Sequence, residues 1–283
     1  MQILYAVAAL GGVALVFGAL LGVVARFFTV DSDSRVEAVR EALPGANCGA
    51  CGYAGCNNFA EAVVEGKAPT NGCIPGGSGA AAAIAAALGQ EAAATVPMVA
   101  TVFCLGDKNK ARDLFVYDGI KDCAVAEKYG GGFKACADGC LGLGSCVRAC
   151  PFDAIAMGRN GLPVVDEKQC TGCGLCARAC PRGIIKMLPQ GDQGHLVLCN
   201  SHARGKAVTQ ACEVGCMACR ACVKACPREA IAMENNLAVI DLAKCDDCGK
   251  CVLKCRPGTI HPRREKGAAK NATAAKAAAS ASA

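Results

Sequence analysis

The sequence has no tryptophan, and aromatic residues make up only 4% of its 283 residues. A chain of this length with few bulky rings has little material for a conventional apolar core, so something other than side-chain burial must hold it together. The sequence contains 24 cysteines instead. Cysteine at this density indicates a disulfide framework, zinc modules or metal clusters, and the spacing has to choose among them.

The body of the chain also has little net charge. The formal net charge is +6, but the five basic residues after His261 exceed the one acidic residue there by four, which leaves +2 for the rest. A nearly neutral body gives little support to nucleic-acid binding. No glycine-rich dinucleotide fingerprint follows a strand pattern, because the glycine-rich stretches surround cysteines.

Charged side chains are absent from Met1 to Ala25. A helix of that length rises roughly 37 Å, enough for a hydrocarbon core of about 30 Å, so residues 3–28 are predicted to span a bilayer. In a cleaved signal peptide, the alternative, basic residues would precede a shorter apolar stretch, whereas here they follow it, at Arg26, Arg35 and Arg40. These flanking charges predict a single-pass anchor in the inner (cytoplasmic) membrane, with the cysteines on the cytoplasmic side. Thiols stay reduced there and remain free to bind metal.

Composition changes divide the chain into six segments. Residues 80–95 are alanine-rich with almost no bulky side chains, and the C-terminal residues are Ala, Lys and Ser without a large apolar residue. The predicted segments are a transmembrane anchor (1–29), a four-cysteine module (30–75), an Ala/Gly-rich linker (76–97), a first cysteine-rich domain (98–190), a second (191–260) and a disordered basic Ala/Lys tail (261–283).

The cysteine-rich body is an internal duplication. The motif Cys-Pro-Phe-Asp-Ala-Ile-Ala-Met at residues 150–157 recurs as Cys-Pro-Arg-Glu-Ala-Ile-Ala-Met at 226–233. A short β-like run follows each copy, at residues 162–166 and 237–241, and a C-x2-C-x2-C group follows each run. The fold class predicted is therefore small, cysteine-rich α+β, with two tandem bacterial-ferredoxin-like (βαβ)2 domains stapled by clusters, behind one transmembrane helix and a single-cluster module.

The spacing of the cysteines indicates 4Fe-4S clusters. In a bacterial C-x2-C-x2-C-x3-C-P run, three cysteines bind one cluster and the fourth crosses to the other. The second half fits this rule with two groups: Cys216, Cys219, Cys222 and Cys255, and Cys226, Cys245, Cys248 and Cys251. In the first half one group is complete: Cys150, Cys170, Cys173 and Cys176.

One ligand is missing from the remaining group of the first half. Leu143 stands where the second half has Cys219, so Cys140, Cys146 and Cys180 need a fourth thiolate. Five cysteines remain, and Cys123 alone has no counterpart in the other half, so we assign it as the substitute. The other four form a predicted cluster that bridges the halves: Cys104, Cys136, Cys199 and Cys212.

The N-terminal module has a different spacing, with one set of four ligands: Cys48, Cys51, Cys56 and Cys73. Glycines around these thiolates allow backbone N–H groups to approach cluster sulfurs. Zinc is the main alternative throughout, but a zinc site needs only two separated pairs of ligands and leaves the three-cysteine runs ending in Cys-Pro unexplained. The 24 cysteines divide into about six clusters of four ligands.

These motifs resemble a known family. The anchor, the Asn47-Cys-Gly-Ala-Cys-Gly-Tyr-Ala-Gly-Cys56 module and the Cys140-Leu-Gly-Leu-Gly-Ser-Cys146 departure from ferredoxin spacing together are similar to the B subunit of the Rnf complex, in its long form. The resemblance implies an electron-transfer subunit of an ion-translocating ferredoxin:NAD oxidoreductase. It also implies that soluble ferredoxin is the electron donor, that the other Rnf subunits in the membrane carry the flavin and NAD sites, and that the complex exports Na+ or H+.

Three other functions stay open at this point. The chain could belong to a related complex that reduces a redox-sensing regulator, to another membrane oxidoreductase as its ferredoxin-like subunit, or to an assembly scaffold whose clusters merely hold the fold. No acid–base catalytic residue is expected, and the three histidines are predicted to be loop residues. Seven basic residues lie near the predicted clusters that are far from the anchor. They are predicted to steer an acidic ferredoxin, or else to be ordinary solvated surface: Arg178, Arg182, Lys224, Arg228, Lys250, Lys254 and Arg256.

Overall fold

The computed structural model of the chain describes residues 2–27, 33–191 and 193–263. The helices are α1 (Gln2–Phe27), α2 (Ser34–Ala42), α3 (Cys56–Val64), α4 (Gly77–Ala87), α5 (Cys123–Lys128), α6 (Ser145–Arg148), α7 (Leu175–Ala179), α8 (Lys206–Ala211), α9 (Ala221–Ala225) and α10 (Lys250–Lys254). The strands are β1 (Met98–Val102), β2 (Ile155–Met157), β3 (Pro163–Val165), β4 (Ile185–Pro189), β5 (His195–Val197), β6 (Ile231–Glu234), β7 (Leu237–Ile240) and β8 (Ile260–Pro262).

Helix α1 accounts for the charge-free N-terminal stretch and is 26 residues long. In the part of the chain that the structure describes, none of the helices meets the length and apolarity required of a membrane span. The ends of the predicted anchor, Met1 and residues 28–29, lie outside the described residues.

The N-terminal module packs three helices around a small core. Val39 of α2, Phe59 and Ala60 of α3 and Ile84 of α4 are almost completely buried, and the Tyr53 ring meets Phe59 edge-on at 5.7 Å between centroids. The expectation that residues 76–97 form only a linker is therefore wrong for α4. The small side chains of the buried alanines Ala80, Ala81 and Ala85 let α4 approach closely, and Ile84, with Leu88 at its end, joins it to the core.

The two halves of the body have the same strand arrangement, as the duplication predicts. In the first half β1 pairs antiparallel with β4, from Met98 opposite Pro189 to Val102 opposite Ile185, and β2 and β3 form a hairpin. In the second half β5 pairs with β8 and β6 with β7 in the same way. In each half the strand that opens the repeat also lies against the second strand of the hairpin.

Strand β8 extends past the predicted end of the second domain. His195 is opposite Pro262 in the β5–β8 pair, so the tail does not begin at His261. This ladder joins segments far apart in the sequence, and a composition change could not reveal it. The remainder of the predicted tail, residues 264–283, lies outside the described residues.

The core of each half consists largely of cysteines and medium-sized aliphatic side chains. In the second half Val197, Ile231, Leu237 and Ile260 pack with Cys199, Cys222 and Cys251, and the first half repeats the pattern around Ile155, Ile184 and Cys146. The thiols thus occupy positions that large apolar side chains fill in a conventional domain.

A segment between Arg112 and Ala135 interrupts the first half and has no counterpart in the second. An antiparallel bridge between Asp113 and Lys134 closes its base, and Ala111, just before it, bridges to Cys212 of the second half. Its own small core joins Ala126 and Phe133 to Leu141, with Leu143 and Cys123 packed against them. We call residues 112–135 the insertion.

Candidate metal centres

All 24 cysteines are free thiols. Twenty of them line five pockets, and which thiols bind a common cluster is a prediction from the spacing. The groups are described below from the interface of the two halves outwards.

A cavity of about 160 Å³ lies between the two halves. Its lining includes the four thiols predicted to bridge the halves, Cys104, Cys136, Cys199 and Cys212, together with Cys140. The amide N–H of Cys140 donates to Cys104 Sγ at 3.5 Å, and the N–H groups of Ser201 and Cys216 donate to Cys199 Sγ at 3.4 Å. Burial raises the pKa of Cys104 and Cys212 and raises that of Cys199 to about 11.

A second cavity is lined by Cys123, Cys140, Cys146 and Cys180. The structure therefore brings Cys123 to the three cysteines that lack a fourth partner, and Cys123 does not line the bridging cavity. Burial, followed by the neighbouring thiols Cys123 and Cys180, raises the pKa of Cys146 to about 11. The pKa of Cys140 rises to about 12, chiefly because of burial.

A hydrogen-bonded network holds Cys123 at this cavity. Asp122 caps the N-terminus of α5, where its carboxylate accepts from the backbone of Ala124 and Val125. The N–H of Cys123 donates to Ser145 Oγ at 2.8 Å, and that hydroxyl donates to Asp122 Oδ2 at 2.9 Å. The Val125 N–H and then the Ser145 hydroxyl hold the pKa of Asp122 below its usual range. Since Ser145 adjoins Cys146, the network ties the substitute ligand to the run that it completes.

The third group comprises Cys150, Cys170, Cys173 and Cys176, the complete set of the first half. Burial, then the thiols of Cys170 and Cys173, raises the pKa of Cys176 to about 12. The N–H of Ala100 on β1 donates to Cys170 Sγ at 3.5 Å. Only glycine fits between Thr171 and Cys173, because Gly172 has φ +73° and a Cβ there would lie 2.4 Å from the Met98 carbonyl oxygen.

The second half contributes two pockets, and each is lined by one of its predicted groups. One holds Cys216, Cys219, Cys222 and Cys255, and the other holds Cys226, Cys245, Cys248 and Cys251. Burial raises the pKa of Cys222 to about 11. Cys219 and Cys248 are exposed, so both sites reach the surface.

The N-terminal group, Cys48, Cys51, Cys56 and Cys73, lines one pocket beside Phe59 and Pro75. The N–H of Cys56 donates to Asn47 Oδ1 at 2.8 Å, which fixes the loop that carries the first two thiols. Burial, countered by a hydrogen bond from the Gly76 backbone, raises the pKa of Cys73.

The thiol groups suit 4Fe-4S clusters. Each offers four cysteine sulfurs, the ligand set that such clusters take, and backbone N–H groups point at several of these sulfurs. Within the described ranges, no three His, Cys, Asp or Glu side chains lie close enough together to hold a single metal ion, a closer spacing than a cluster needs, because each cysteine of a cluster binds a different iron. Because burial keeps many of the thiols protonated, metal binding here must release protons.

The groups form a connected series. Cys140 lines both the bridging cavity and the cavity of the Cys123 group, and its N–H donates to Cys104 Sγ. The N–H of Cys216 donates to Cys199 Sγ, so the Cys216 group adjoins the bridging group. Cys146 of the Cys123 group and Cys176 of the Cys170 group pack in one core.

Some residues near these sites were missed or misplaced from sequence. The side chain of Arg182 is only 3% exposed, so its predicted place on a steering surface is wrong, whereas the other six basic residues are exposed. His195 and His261 lie on strands rather than loops, and His195 Nδ1 is 2.7 Å from Asp247 Oδ1 beside the last group. The burial of these two side chains could not be predicted, because neither Arg182 after Cys-Pro nor His195 before Leu-Val stands in a local pattern typical of a buried polar residue.

Family models match most of the cysteine-bearing chain. A model described as "Putative Fe-S cluster" matches residues 43–75, and three models described as "4Fe-4S dicluster domain" match residues 135–187, 169–230 and 215–260. The fold and its cysteines thus define an iron–sulfur protein with tandem ferredoxin-like domains.

Relatives narrow this class to one component of a larger complex. The chain is 49% identical to the B subunit of the proton-translocating ferredoxin:NAD(+) oxidoreductase complex of Clostridium ljungdahlii, over 88% of each chain. It is 47% identical to the Na(+)-translocating counterpart of Acetobacterium woodii, over 89% of this chain and 76% of the relative. It is 42% identical to the B subunit of the ion-translocating oxidoreductase complex of Methanosarcina acetivorans, over 91% and 97%. The chain belongs to the family of Rnf complex B subunits, which confirms the resemblance.

Proposed function

We propose that the chain relays single electrons from reduced ferredoxin through six 4Fe-4S clusters to flavin- and NAD-bearing subunits of an Rnf-type complex. The observation that carries this proposal is that five pockets are each lined by at least four cysteine thiols. The spacing of the sequence assigns the other four thiols to a sixth group: Cys150, Cys170, Cys173 and Cys176. Bound clusters supply one-electron chemistry without bond rearrangement, so this chain's residues act by binding them, burying them and directing N–H groups at their sulfurs.

The proposed relay follows this series of groups. Electrons enter at the exposed Cys219 and Cys248 sites of the second half, cross the bridging group, and leave through the first half toward the N-terminal module. The bridging group joins the two halves in this series, because Cys140 lines its cavity and the Cys216 N–H donates to Cys199 Sγ. Loss of one of its ligands should therefore separate reduction of the second half from reduction of the first.

A reductive titration tests the relay. The anaerobic full-length protein is titrated with reduced ferredoxin while cluster signals are followed by EPR. The proposal expects about six electrons to be taken up per chain, one for each cluster. In Cys212→Ser, ferredoxin should still reduce the second half rapidly and the first half slowly. Equal rates for both halves in this variant would contradict the proposed route.

The ferredoxin surface is proposed to lie at helix α10. Leu253 is 86% exposed and is flanked by the exposed side chains of Lys250 and Lys254. Two of the proposed cluster ligands, Cys251 and Cys255, adjoin the same helix. An apolar side chain among cations suits an acidic carrier that docks briefly, with charge accelerating the encounter.

Membrane attachment is proposed for α1. Its first charged residue is Arg26, and its described side chains expose Leu10, Leu15, Leu20 and Leu21. The anchor would place the Cys48 group near the membrane and the body on the cytoplasmic side, as the flanking arginines favour. Expressed without partner subunits, the full chain should stay with membranes after a carbonate wash, and a chain without residues 2–27 should be soluble and loaded with iron. A full chain that carbonate releases would contradict the anchor.

The coupled process is proposed from the relatives. Their names specify proton translocation in one case and Na(+) translocation in another, together with ferredoxin and NAD(+). Export of Na+ or H+ and the flavin and NAD sites are assigned to the other subunits of the complex, since the glycine-rich stretches of this chain surround cysteines.

A further inference from the structure

Arg182 is a buried cation between two of the thiol groups. Its side chain is 3% exposed, and its Nε donates to Glu127 Oε2 at 2.6 Å. Nη1 donates to the carbonyl oxygens of Cys136 at 2.9 Å and Gly139 at 2.6 Å, and Nη2 donates to that of Gly131. Glu127 is 31% exposed and is the only carboxylate paired with Arg182 in the described structure.

These contacts place the guanidinium in the wall between two sites. Arg182 and Cys180 line the cavity of the Cys123 group. Cys136 and Gly139, whose carbonyls it holds, line the bridging cavity. Asn200, which adjoins the bridging ligand Cys199, also donates to the Arg182 carbonyl oxygen at 3.0 Å.

The other half has no buried cation at the corresponding position, and its Arg256, one residue earlier, is exposed. Gly183 and Gly258 are each three residues after the last cysteine of their run, and both have positive φ, +60° and +67°. The position of Arg182 therefore corresponds to Pro257, which carries no charge. The duplication supplies an internal comparison in which one half has a buried cation and the other has an apolar ring.

A cation held in a low-dielectric wall favours the more negative state of a neighbouring group, because the attraction is only weakly screened there. Reduction of a cluster adds one negative charge. A merely structural cross-link between the insertion and the bridging segment would not need a charged group, and burying one is costly. This cost is acceptable if the charge itself has a role.

We propose that Arg182 is a positioning residue that raises the reduction potentials of the clusters at the Cys123 group and the bridging group. The inference rests on the proposed function, since it requires clusters at both sites. Glu127 opposes the effect as the partial counter-charge. The result is a downhill step for an electron passing from the second half, which has Pro257 at this position, into the first.

The test is an anaerobic redox titration of the full-length protein, followed by EPR, in wild type, Arg182→Met and Glu127→Gln. Two of the cluster signals should shift to lower potential in R182M, and the same two should shift to higher potential in E127Q. A structural role alone predicts no such pair of opposite shifts. Arg159→Met is the control, because that arginine is exposed and lies outside the basic residues predicted to steer ferredoxin, so screening should leave all potentials unchanged.

The outcomes separate this inference from the proposed function. Full iron content with unmoved potentials in both variants, or shifts in the same direction, would overturn the role of Arg182 and leave the relay intact. A wild-type protein without clusters at these sites would remove the proposed function itself. If R182M loses iron, E127Q still decides the matter, because it keeps the guanidinium and its carbonyl contacts.

Discussion

The amide of Cys123 donates a 2.8 Å hydrogen bond to the hydroxyl of Ser145 across 22 residues of chain. This contact joins the insertion to the run in which Leu143 replaces a ligand. It explains how Cys123, which lies outside the ferredoxin spacing, can reach the group that lacks a fourth cysteine, because the insertion is fixed to the residue next to Cys146.

The first prediction concerns the replacement of Cys123 by serine. If Cys123 is the fourth ligand, C123S should hold one labile iron and give a three-iron EPR signal after mild oxidation. The backbone on both sides of Leu143 matches that around Cys219, with positive φ at Gly142 and Gly144 and at Ala218 and Arg220. A thiol at residue 143 should therefore point as Cys219 does, and C123S/L143C should regain the iron.

Iron quantification and EPR on both variants check this assignment. Cys104→Ser serves for comparison and should disturb a different signal, that of the bridging group. If C123S keeps every iron under oxidation, or if C123S and C104S alter the same signal, the ligand assignment is wrong.

The second prediction concerns Ser145. In S145A the Cys123 amide loses its acceptor and Asp122 loses a donor, which costs about 1 kcal/mol. The variant should fold with full iron but release one iron faster under oxidation. Thr209→Ala, which removes an exposed hydroxyl on α8, is the control and should match wild type in the time course of the three-iron signal. Identical time courses for S145A and wild type would show that the network does not hold the ligand.

The third prediction tests the packing of α4. Ile84 is completely buried between α2, α3 and the Cys73 side of the module, so I84A should cost roughly 2 to 5 kcal/mol. The Cys48 group should then lose its iron while the ferredoxin-like body keeps its own. Ile120→Ala, at a side chain 67% exposed, should change neither. If I84A holds about 20 iron per chain, the module has lost its cluster separately from the body. If I84A keeps all its iron even at raised temperature, α4 does not stabilise the module.

The fourth prediction concerns ferredoxin docking. Reversing the charges of Lys250 and Lys254 to glutamate should lower the second-order rate constant for reduction by ferredoxin at least tenfold at low salt, with a smaller difference at high salt. In the control variant the exposed Lys128 and Lys168 of the first half are replaced by glutamate, which changes the net charge by the same amount. Stopped-flow reduction at several ionic strengths measures both. Equal losses in the two double variants would indicate a general charge effect and no docking surface at α10.

The sequence predicts much of the candidate site because its signals are local and repeated. Runs of cysteine at fixed spacing define most groups, and the comparison of Leu143 with Cys219 indicates that a ligand must come from elsewhere. The structure brings Cys123 to that place. The paired strands of the two halves likewise follow from the duplicated Cys-Pro motifs.

Other features depend on long-range packing that no local pattern records. Alanines give no amphipathic signal, so the burial of α4 around Ile84 could not be read from composition. Pairing of β8 with β5 moves the end of the second domain past His261. The burial of Arg182 depends on the carbonyls of Gly131, Cys136 and Gly139, which are 43 to 51 residues away in the sequence.

Iron and acid-labile sulfide per chain, measured on the anaerobically purified full-length protein together with zinc, test the central claim most directly. Six clusters on 24 thiolates require about 24 iron and 24 sulfide per chain with negligible zinc. Zinc in place of iron, or iron without sulfide, would contradict the assignment of the six thiol groups as cluster sites.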